Sequence, residues 1–340
     1  MDIDKRKPSA IALLSGGLDS TLAISIMLDL GVEVEALNFT TIFCNCSSGR
    51  GKEGCGSEAR RVSNLLGVKL SVFNAMPEYL DIVKNPKYGR GSSMNPCKDF
   101  RIFMLKRAKD YMQKVGADFI VTGEVLGQRP MSQQREAMRL IERKSELEGL
   151  IVRPLCAKLL PPSLPEKEGL IDREQLLAIE GRSRKTQIQM ASERGITDYA
   201  CPAGGCLLTD KSFGRRMKDL FGHEPDAGVE PVRLLKYGRH FRFPDGTKII
   251  VGRDKPENDT LERLGSGYCK YQVDGELGAV TLAPPGLPEE TRRLIAAVTA
   301  RYSQGRQRPK LLIRRVEDGQ EELIEVEPAK DDNLALWRVD

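Results

Sequence analysis

The chain has only two histidines, His223 and His240, among 340 residues. It has no run approaching eighteen apolar residues, no apolar stretch after Met1-Asp2-Ile3-Asp4-Lys5-Arg6-Lys7, and no internal repeat or low-complexity tract. The shortage of histidine argues against a Ser-His-Asp hydrolase or a histidine-rich zinc site, and directs the search for a nucleophile to the cysteines. The missing apolar runs argue against a membrane span or a secretory leader, so the expected location is cytoplasmic with no membrane partner. Hydrophobic residues make up 40% and charged residues 30% with both signs mixed, which excludes a disordered tail protein. The length implies two domains. A net charge of +5 fits a nucleic-acid partner but does not demand one, since a mild excess of Lys and Arg is usually just a solvated face. Eight cysteines in a reducing compartment point to metal binding or thiol chemistry rather than disulfides.

The first half alternates apolar runs with amphipathic stretches, the pattern of a doubly wound α/β domain with a parallel sheet. Strands are expected at 11–14, 34–39, 68–73, 117–123 and 150–155, and helices at 21–29, 58–66, 100–115 and 185–194. Gly31 and Gly67 read as helix stops. Leu159-Leu160-Pro161-Pro162-Ser163-Leu164-Pro165 reads as a loop, because proline removes an amide donor and blocks helix. The Gly/Pro-rich stretch 222–228 reads as a linker, which gives domains of 1–224 and 225–340. In the second, 239–243 and 247–251 form a hairpin about Pro244-Asp245-Gly246. A helix at 289–302 and strands at 310–315 and 321–326 complete a smaller α+β domain.

The sharpest local signal is Ser15-Gly16-Gly17-Leu18-Asp19-Ser20, directly after a strand and opening a helix. Two glycines let backbone N–H groups converge on an anion, Ser15 and Ser20 add hydroxyls, and the helix N-terminus adds partial positive charge. Asp19 beside a phosphate requires Mg²⁺ between them, or serves as a helix cap. No Walker A string competes. These six residues resemble the PP-loop of ATP pyrophosphatases, a HUP-like fold. The resemblance implies ATP split between its α and β phosphates, pyrophosphate held in the loop and AMP passed to a substrate oxygen.

Further along, Thr122-Gly123-Glu124-Val125-Leu126-Gly127-Gln128, Ser132-Gln133 and Val152-Arg153-Pro154-Leu155 resemble the adenylation domain of tRNA 4-thiouridine synthetase. Asn95-Pro96-Cys97 and Gly204-Gly205-Cys206 are similar to the cysteine motifs of tRNA 2-thiouridylase. The likeness covers about residues 8–212. It implies ATP-dependent thiolation of a tRNA uridine, with the Gly-Glu-x-Leu-Gly-Gln string favouring 4-thiouridine. ATP and Mg²⁺ would then be held at Ser15, Gly16, Gly17, Leu18, Asp19, Ser20, Gly123 and Gln128, with Cys97, Cys206 and Asp19 catalytic.

Cys97 heads a helix, a placement that depresses a thiol pKa, and Cys206 follows two glycines that permit close approach to a ligand. By the resemblance, one cysteine carries sulfur as a persulfide and the other resolves it. Alternatively Cys97, Cys201 and Cys206 hold a 4Fe-4S cluster by three irons, leaving the fourth iron for sulfide. The plainest alternative makes both thiols small buried hydrophobes. Cys44, Cys46 and Cys55 read as a metal site, a sulfur relay or a plain loop, and Cys156 and Cys269 as structural. The sulfur donor would be a cysteine desulfurase or free sulfide. Oligomeric state is left open, with a homodimer among the alternatives.

The 4-thiouridine synthetases carry an N-terminal THUMP domain for tRNA, for which this chain has no room. Instead, Gly238-Arg239-His240-Phe241-Arg242-Phe243 and the segment Asp245 to Asp254 resemble the NFACT-R domain of ribosome quality-control proteins. That implies an RNA-holding module. Arg239, Arg242, Lys248 and Arg253 are the expected phosphate contacts, and Tyr237, His240 and Phe241 the expected stacking groups. The alternative is a structural appendage with these aromatics in its core. Two other functions remain at this level: a PP-loop ligase that adds nitrogen, and an RNA-binding factor with a vestigial loop.

Overall fold

A computed structural model describes residues 6–44, 55–197, 199 and 205–339. The chain divides into two compact units, residues 1–209 and 210–340.

The first unit runs β1 (Ser9–Leu13), α1 (Leu18–Asp29), β2 (Glu33–Thr40), α2 (Cys55–Leu66), β3 (Lys69–Asn74), α3 (Glu78–Lys84), α4 (Cys97–Val115), β4 (Phe119–Thr122), α5 (Arg135–Ser145), β5 (Ile151–Val152), α6 (Leu164–Lys167) and α7 (Lys185–Glu193). Its five strands form one parallel sheet in the order β3-β2-β1-β4-β5. Alternate residues of β1 serve opposite faces. Ala10 and Ala12 pack with α1 and Val121, while Ile11 packs with Ile102, Leu105 and Ala108 of α4, so both faces are covered. The central strands are accordingly mostly apolar, and all four residues of β4 are buried.

Because β2 leaves β1 on one side and β4 joins it on the other, the strand order reverses at β1. The C-terminal end of such a strand is where ligands bind in doubly wound folds.

The expected loop at 159–165 contains a start of helix. Ser163 and Glu166 form a capping box, and Pro165 falls in the first turn, where no amide donor is needed. Helices α3 and α5 fall in stretches given no element from sequence.

The second unit runs α8 (Lys211–His223), α9 (Val229–Leu234), β6 (Arg239–Arg242), β7 (Lys248–Val251), α10 (Lys255–Leu264), β8 (Cys269–Val273), β9 (Thr281–Ala283), α11 (Glu289–Arg301), β10 (Leu311–Glu317), β11 (Gln320–Val326) and α12 (Asp331–Trp337). Its antiparallel sheet has the order β11-β10-β8-β9-β7-β6. Phe241, Ile249, Tyr271, Ile313 and the α11 residues Ile295 and Val298 share its core. The hairpin turn is the expected one, with Gly246 at φ 86° and Asp245 accepting from the Thr247 amide at 2.8 Å.

This unit begins at Asp210, ahead of the expected linker, because α8 is bound to its sheet by charge. Asp219 accepts from Arg242 of β6 at 2.8 Å and from Lys248 of β7 at 2.7 Å. Among the described residues no helix is long and apolar enough to cross a membrane.

Candidate functional site

The turn after β1 has a shape only glycine permits. Gly16 sits at φ 76°, and a Cβ there would lie 2.8 Å from Glu58 Cβ and 2.9 Å from the Ala59 nitrogen. Gly17 is the N-cap of α1 and has no side chain to fill that role. Its carbonyl accepts from Ser20 Oγ at 2.9 Å and Thr21 Oγ1 at 3.0 Å, while Ser15 and Ser20 hydroxyls lie 3.1 Å apart. The result is a helix N-terminus flanked by two hydroxyls, an arrangement suited to an anion. At Gly123 a Cβ would fall 2.5 Å from the Asp19 carbonyl oxygen. This glycine is therefore required for the close approach of the β4 end to the first turn of α1.

Asp19 is held from behind. Its Oδ2 accepts from Gln128 Nε2 at 2.6 Å and lies 3.7 Å from Arg184 Nε. Its Oδ1 is buried without a hydrogen-bond partner. A carboxylate oxygen so placed beside an anion site is a suitable Mg²⁺ ligand, so the residues present fit that cation.

A cavity of about 560 Å³ opens on this loop, a size suited to a nucleotide-scale ligand. Its walls include Ser15, Gly17, Asp19 and Ser20, and also Cys97 and Cys206. The two thiols are brought to one wall by tertiary clips. Cys97 opens α4 and donates to Ser132 Oγ at 3.6 Å. The Cys206 segment is pinned by the Leu207 amide on the Phe43 carbonyl at 2.8 Å and by the Met94 amide on the Leu208 carbonyl at 3.0 Å. Burial, and secondarily the neighbouring Cys97, pushes the Cys206 thiol up to about 11. Tyr79 lines the same wall, its ring 3.6 Å from that of Phe100 in a stacked pair and edge-on to Phe43.

Glu124 also lines the cavity, at 2% exposure. Its Oε2 accepts from Arg153 Nε at 2.9 Å, and Arg101 lies 3.6 Å from Oε1. Burial alone would raise this carboxyl, but the two guanidinium charges outweigh it and the pKa is lowered. Glu124 and Ser132 belong to the Thr122–Gln128 and Ser132-Gln133 motifs, but sequence gives neither a role. Arg101, expected from its place near the thiols to offset phosphate charge, is on the cavity wall, whereas Tyr79 and Arg129, also on that wall, stood outside any motif, and nothing local distinguished Tyr79 from core.

The proposed cluster ligand Cys201 lies outside the described residues, as does Cys46, and the Cys55 side chain is likewise undescribed. Among the described residues no group of three or more His, Cys, Asp or Glu is placed to hold a metal. Cys44 is disulfide-bonded, and Cys156 and Cys269 are buried.

A model of the family described as Thiamine biosynthesis protein (ThiI) matches residues 6–158, spanning the loop, Cys97 and the Thr122 to Gln128 string. The first unit is a ThiI-like PP-loop domain. A second family model, NFACT protein RNA binding domain, matches residues 238–338. The chain is 27% identical over 338 aligned residues to the tRNA-specific 2-thiouridylase MnmA of Pseudomonas fluorescens (strain SBW25), covering 89% of this chain and 84% of that protein. The MnmA of Pelotomaculum thermopropionicum is 26% identical over 326 residues, covering 86% of this chain and 78% of the relative. A solved 4-thiouridine synthetase–RNA complex with bound ATP shares 20% identity at a TM-score of 0.40, over 67% of this chain and 52% of that one. The chain thus spans about half the length of that synthetase.

The PP-loop domain therefore presents its loop and two thiols to one cavity. In the NFACT-R domain the expected RNA contacts need correction. His240 and Phe241 are fully buried, so neither can stack on a base. Arg242 and Lys248 are committed to Asp219. Arg253 pairs with Glu257, and the Arg239 guanidinium sits 4.7 Å from the Tyr302 ring centre while donating to the Gly252 carbonyl at 3.1 Å. His240, Phe241, Arg242 and Lys248 are framework, whereas the Arg253 side chain stays 45% exposed beside Glu257.

Proposed function

We propose that the protein is an ATP-dependent tRNA uridine thiolase whose second unit holds the RNA. The observation that carries this reading is the single cavity walled by both the PP-loop and Cys97 with Cys206. Neither a nitrogen-adding ligase nor a vestigial loop calls for two thiols there.

In this reading the loop from Ser15 to Ser20 holds the β and γ phosphates of ATP, and Asp19 Oδ1 binds Mg²⁺. The uridine oxygen attacks the α phosphorus, the bond to the β-phosphate oxygen breaks, and pyrophosphate leaves. One cysteine, charged with sulfane sulfur from the persulfide of a cysteine desulfurase, whose own thiol is thereby released, attacks the ring carbon through its terminal sulfur, and AMP leaves with the oxygen. The second cysteine attacks the inner sulfur. That frees the thiouridine and leaves a disulfide, which a thiol reductant resets. Arg101 and Arg129 on the cavity wall offset phosphate charge. The Thr122 to Gln128 string supports sulfur at carbon 4, whereas the curated relatives, named 2-thiouridylases, favour carbon 2.

The test is anaerobic. The full chain is purified, its iron content is measured, and it is incubated with ATP, Mg²⁺, unmodified tRNA and a thiol reductant, with either sulfide or cysteine plus a cysteine desulfurase as the sulfur donor. Nucleosides are then separated by chromatography and identified by mass. 4-Thiouridine is the expected product, and 2-thiouridine places the chemistry at the other carbon. Bound iron that disappears in Cys201→Ser selects the cluster over the persulfide. Absence of any thionucleoside with every sulfur donor overturns the reading.

A further inference from the structure

Helix α7 lies beyond the segment matched by the ThiI model, yet one of its residues reaches the phosphate loop. Gln187 is fully buried, and its Nε2 donates to Gln128 Oε1 at 3.2 Å. Gln128 Nε2 in turn donates to Asp19 Oδ2 at 2.6 Å. The direction of this chain is set by chemistry. An ionised carboxylate only accepts, so Gln128 must turn its NH₂ to Asp19 and its oxygen to Gln187, which must then donate. The backbone is registered to match: the Gly181 amide donates to the Leu126 carbonyl at 2.8 Å just ahead of α7. The arrangement leaves Gln187 Oε1 buried without a partner, as is Asp19 Oδ1. An orphaned amide oxygen is unfavourable in a core, so packing alone does not account for a glutamine here.

We propose that Gln187 is a positioning residue of the ATP site. By fixing the amide orientation of Gln128 it commits Asp19 Oδ2 to a hydrogen bond and reserves Oδ1 for the divalent cation of the nucleotide. The proposal rests on the reading of Ser15 to Ser20 as the ATP loop. In Gln187→Glu the ionised side chain can no longer donate. Gln128 turns its NH₂ towards the new carboxylate and its oxygen towards Asp19, where two acceptors repel. Gln187→Met keeps the length and removes both polar ends.

The test is calorimetric titration of the full chain with ATP, with and without Mg²⁺, alongside thermal melting of each variant. Gln187→Glu is expected to weaken Mg²⁺-dependent ATP binding about tenfold or more, the scale of a hydrogen bond to a charged group. Metal-free ATP affinity stays within about twofold of wild type by the same reasoning, since no phosphate contact changes. Lowering the pH towards 5 restores part of the loss as the introduced carboxyl protonates and regains a donor. Gln187→Met loses Mg²⁺-dependent affinity with an unchanged melting temperature, since one orphaned oxygen replaces another.

Wild-type Mg²⁺ dependence in both variants overturns the proposal, as does an equal loss with and without metal. ATP binding undetectable in the wild-type chain overturns the ATP reading itself, which separates the two failures.

Discussion

Glu124 links the cavity wall to the interior of the first unit, and its removal has a calculable cost. Glu124 and Arg153 are 2% and 4% exposed, and Arg153 also pairs with Glu142. Glu124→Ala takes from Arg153 its 2.9 Å acceptor, from Arg101 its 3.6 Å counter-charge and from Thr122 its 3.3 Å acceptor. Arg153 Nη2 is already without a hydrogen-bond partner, so the guanidinium would be left buried with Glu142 as its remaining carboxylate. Breaking a buried pair from one side costs about 3–5 kcal/mol. At about 2–4 °C per kcal/mol for a domain of this size, the melting temperature should fall by about 6–20 °C. Glu124→Gln keeps an acceptor for Arg153 and should cost about 1–3 kcal/mol. Removing the charge at Arg153 as well, in Glu124→Ala with Arg153→Met, should recover part of the loss.

The assay is thermal melting by circular dichroism beside the fluorescence of Trp337, the single tryptophan, which belongs to the second unit. Because the Glu124 carboxyl is lowered in the fold, its stabilisation is present above the unfolded carboxylate pKa. It is lost as pH falls through the lower folded value, so the difference between wild type and Glu124→Ala should shrink in acid. A Glu124→Ala protein melting within about 2 °C of wild type at pH 7 would refute the reasoning.

Three further outcomes are expected. Gly16→Ala forces a side chain into the left-handed region, at about 1–2 kcal/mol, and drives its Cβ onto Glu58; ATP binding by calorimetry should be lost while Trp337 fluorescence is unchanged. With its thiol at about 11, Cys206 in metal-free protein should be roughly a thousandth ionised at pH 8, against roughly a quarter for an ordinary thiol. Peptide mapping after iodoacetamide should therefore show its labelling still rising beyond pH 10, and a plateau below pH 9 would contradict burial as the controlling factor. Asp219→Ala leaves Arg242 and Lys248, 12% and 9% exposed, without their shared carboxylate. The Trp337 fluorescence transition should move down by the equivalent of about 3–5 kcal/mol, and an unmoved transition would mean that α8 is not tied to the sheet by charge.

Much of the first unit is legible from its residues in order. The run before Ser15 is apolar on both faces, as a central parallel strand must be, and Gly31, Gly67 and Gly116 end the preceding helices in the left-handed conformation that only glycine adopts freely. Helix α5 is different. Its apolar residues Ala137, Met138 and Ile141 are buried along one face at helical spacing among charges, so its period is legible in the sequence although no helix was expected there. In the second unit, the three-residue strand β9 is recognisable only by its pairing with β7 and β8.

Sequence alone determined the phosphate loop, because strand, glycine turn and helix start are contiguous and each is a local property of the backbone. It also determined which cysteines accompany known thiolation motifs. Tertiary structure decided what those residues do together. Cys97 and Cys206 reach one wall, Gln187 reaches Asp19 through Gln128, and Arg242 and Lys248 are neutralised by Asp219, all through contacts between residues far apart in the chain. Burial and hydrogen-bond partnership are properties of such contacts. The same arginine, histidine or phenylalanine reads alike in sequence whether it faces RNA or the core.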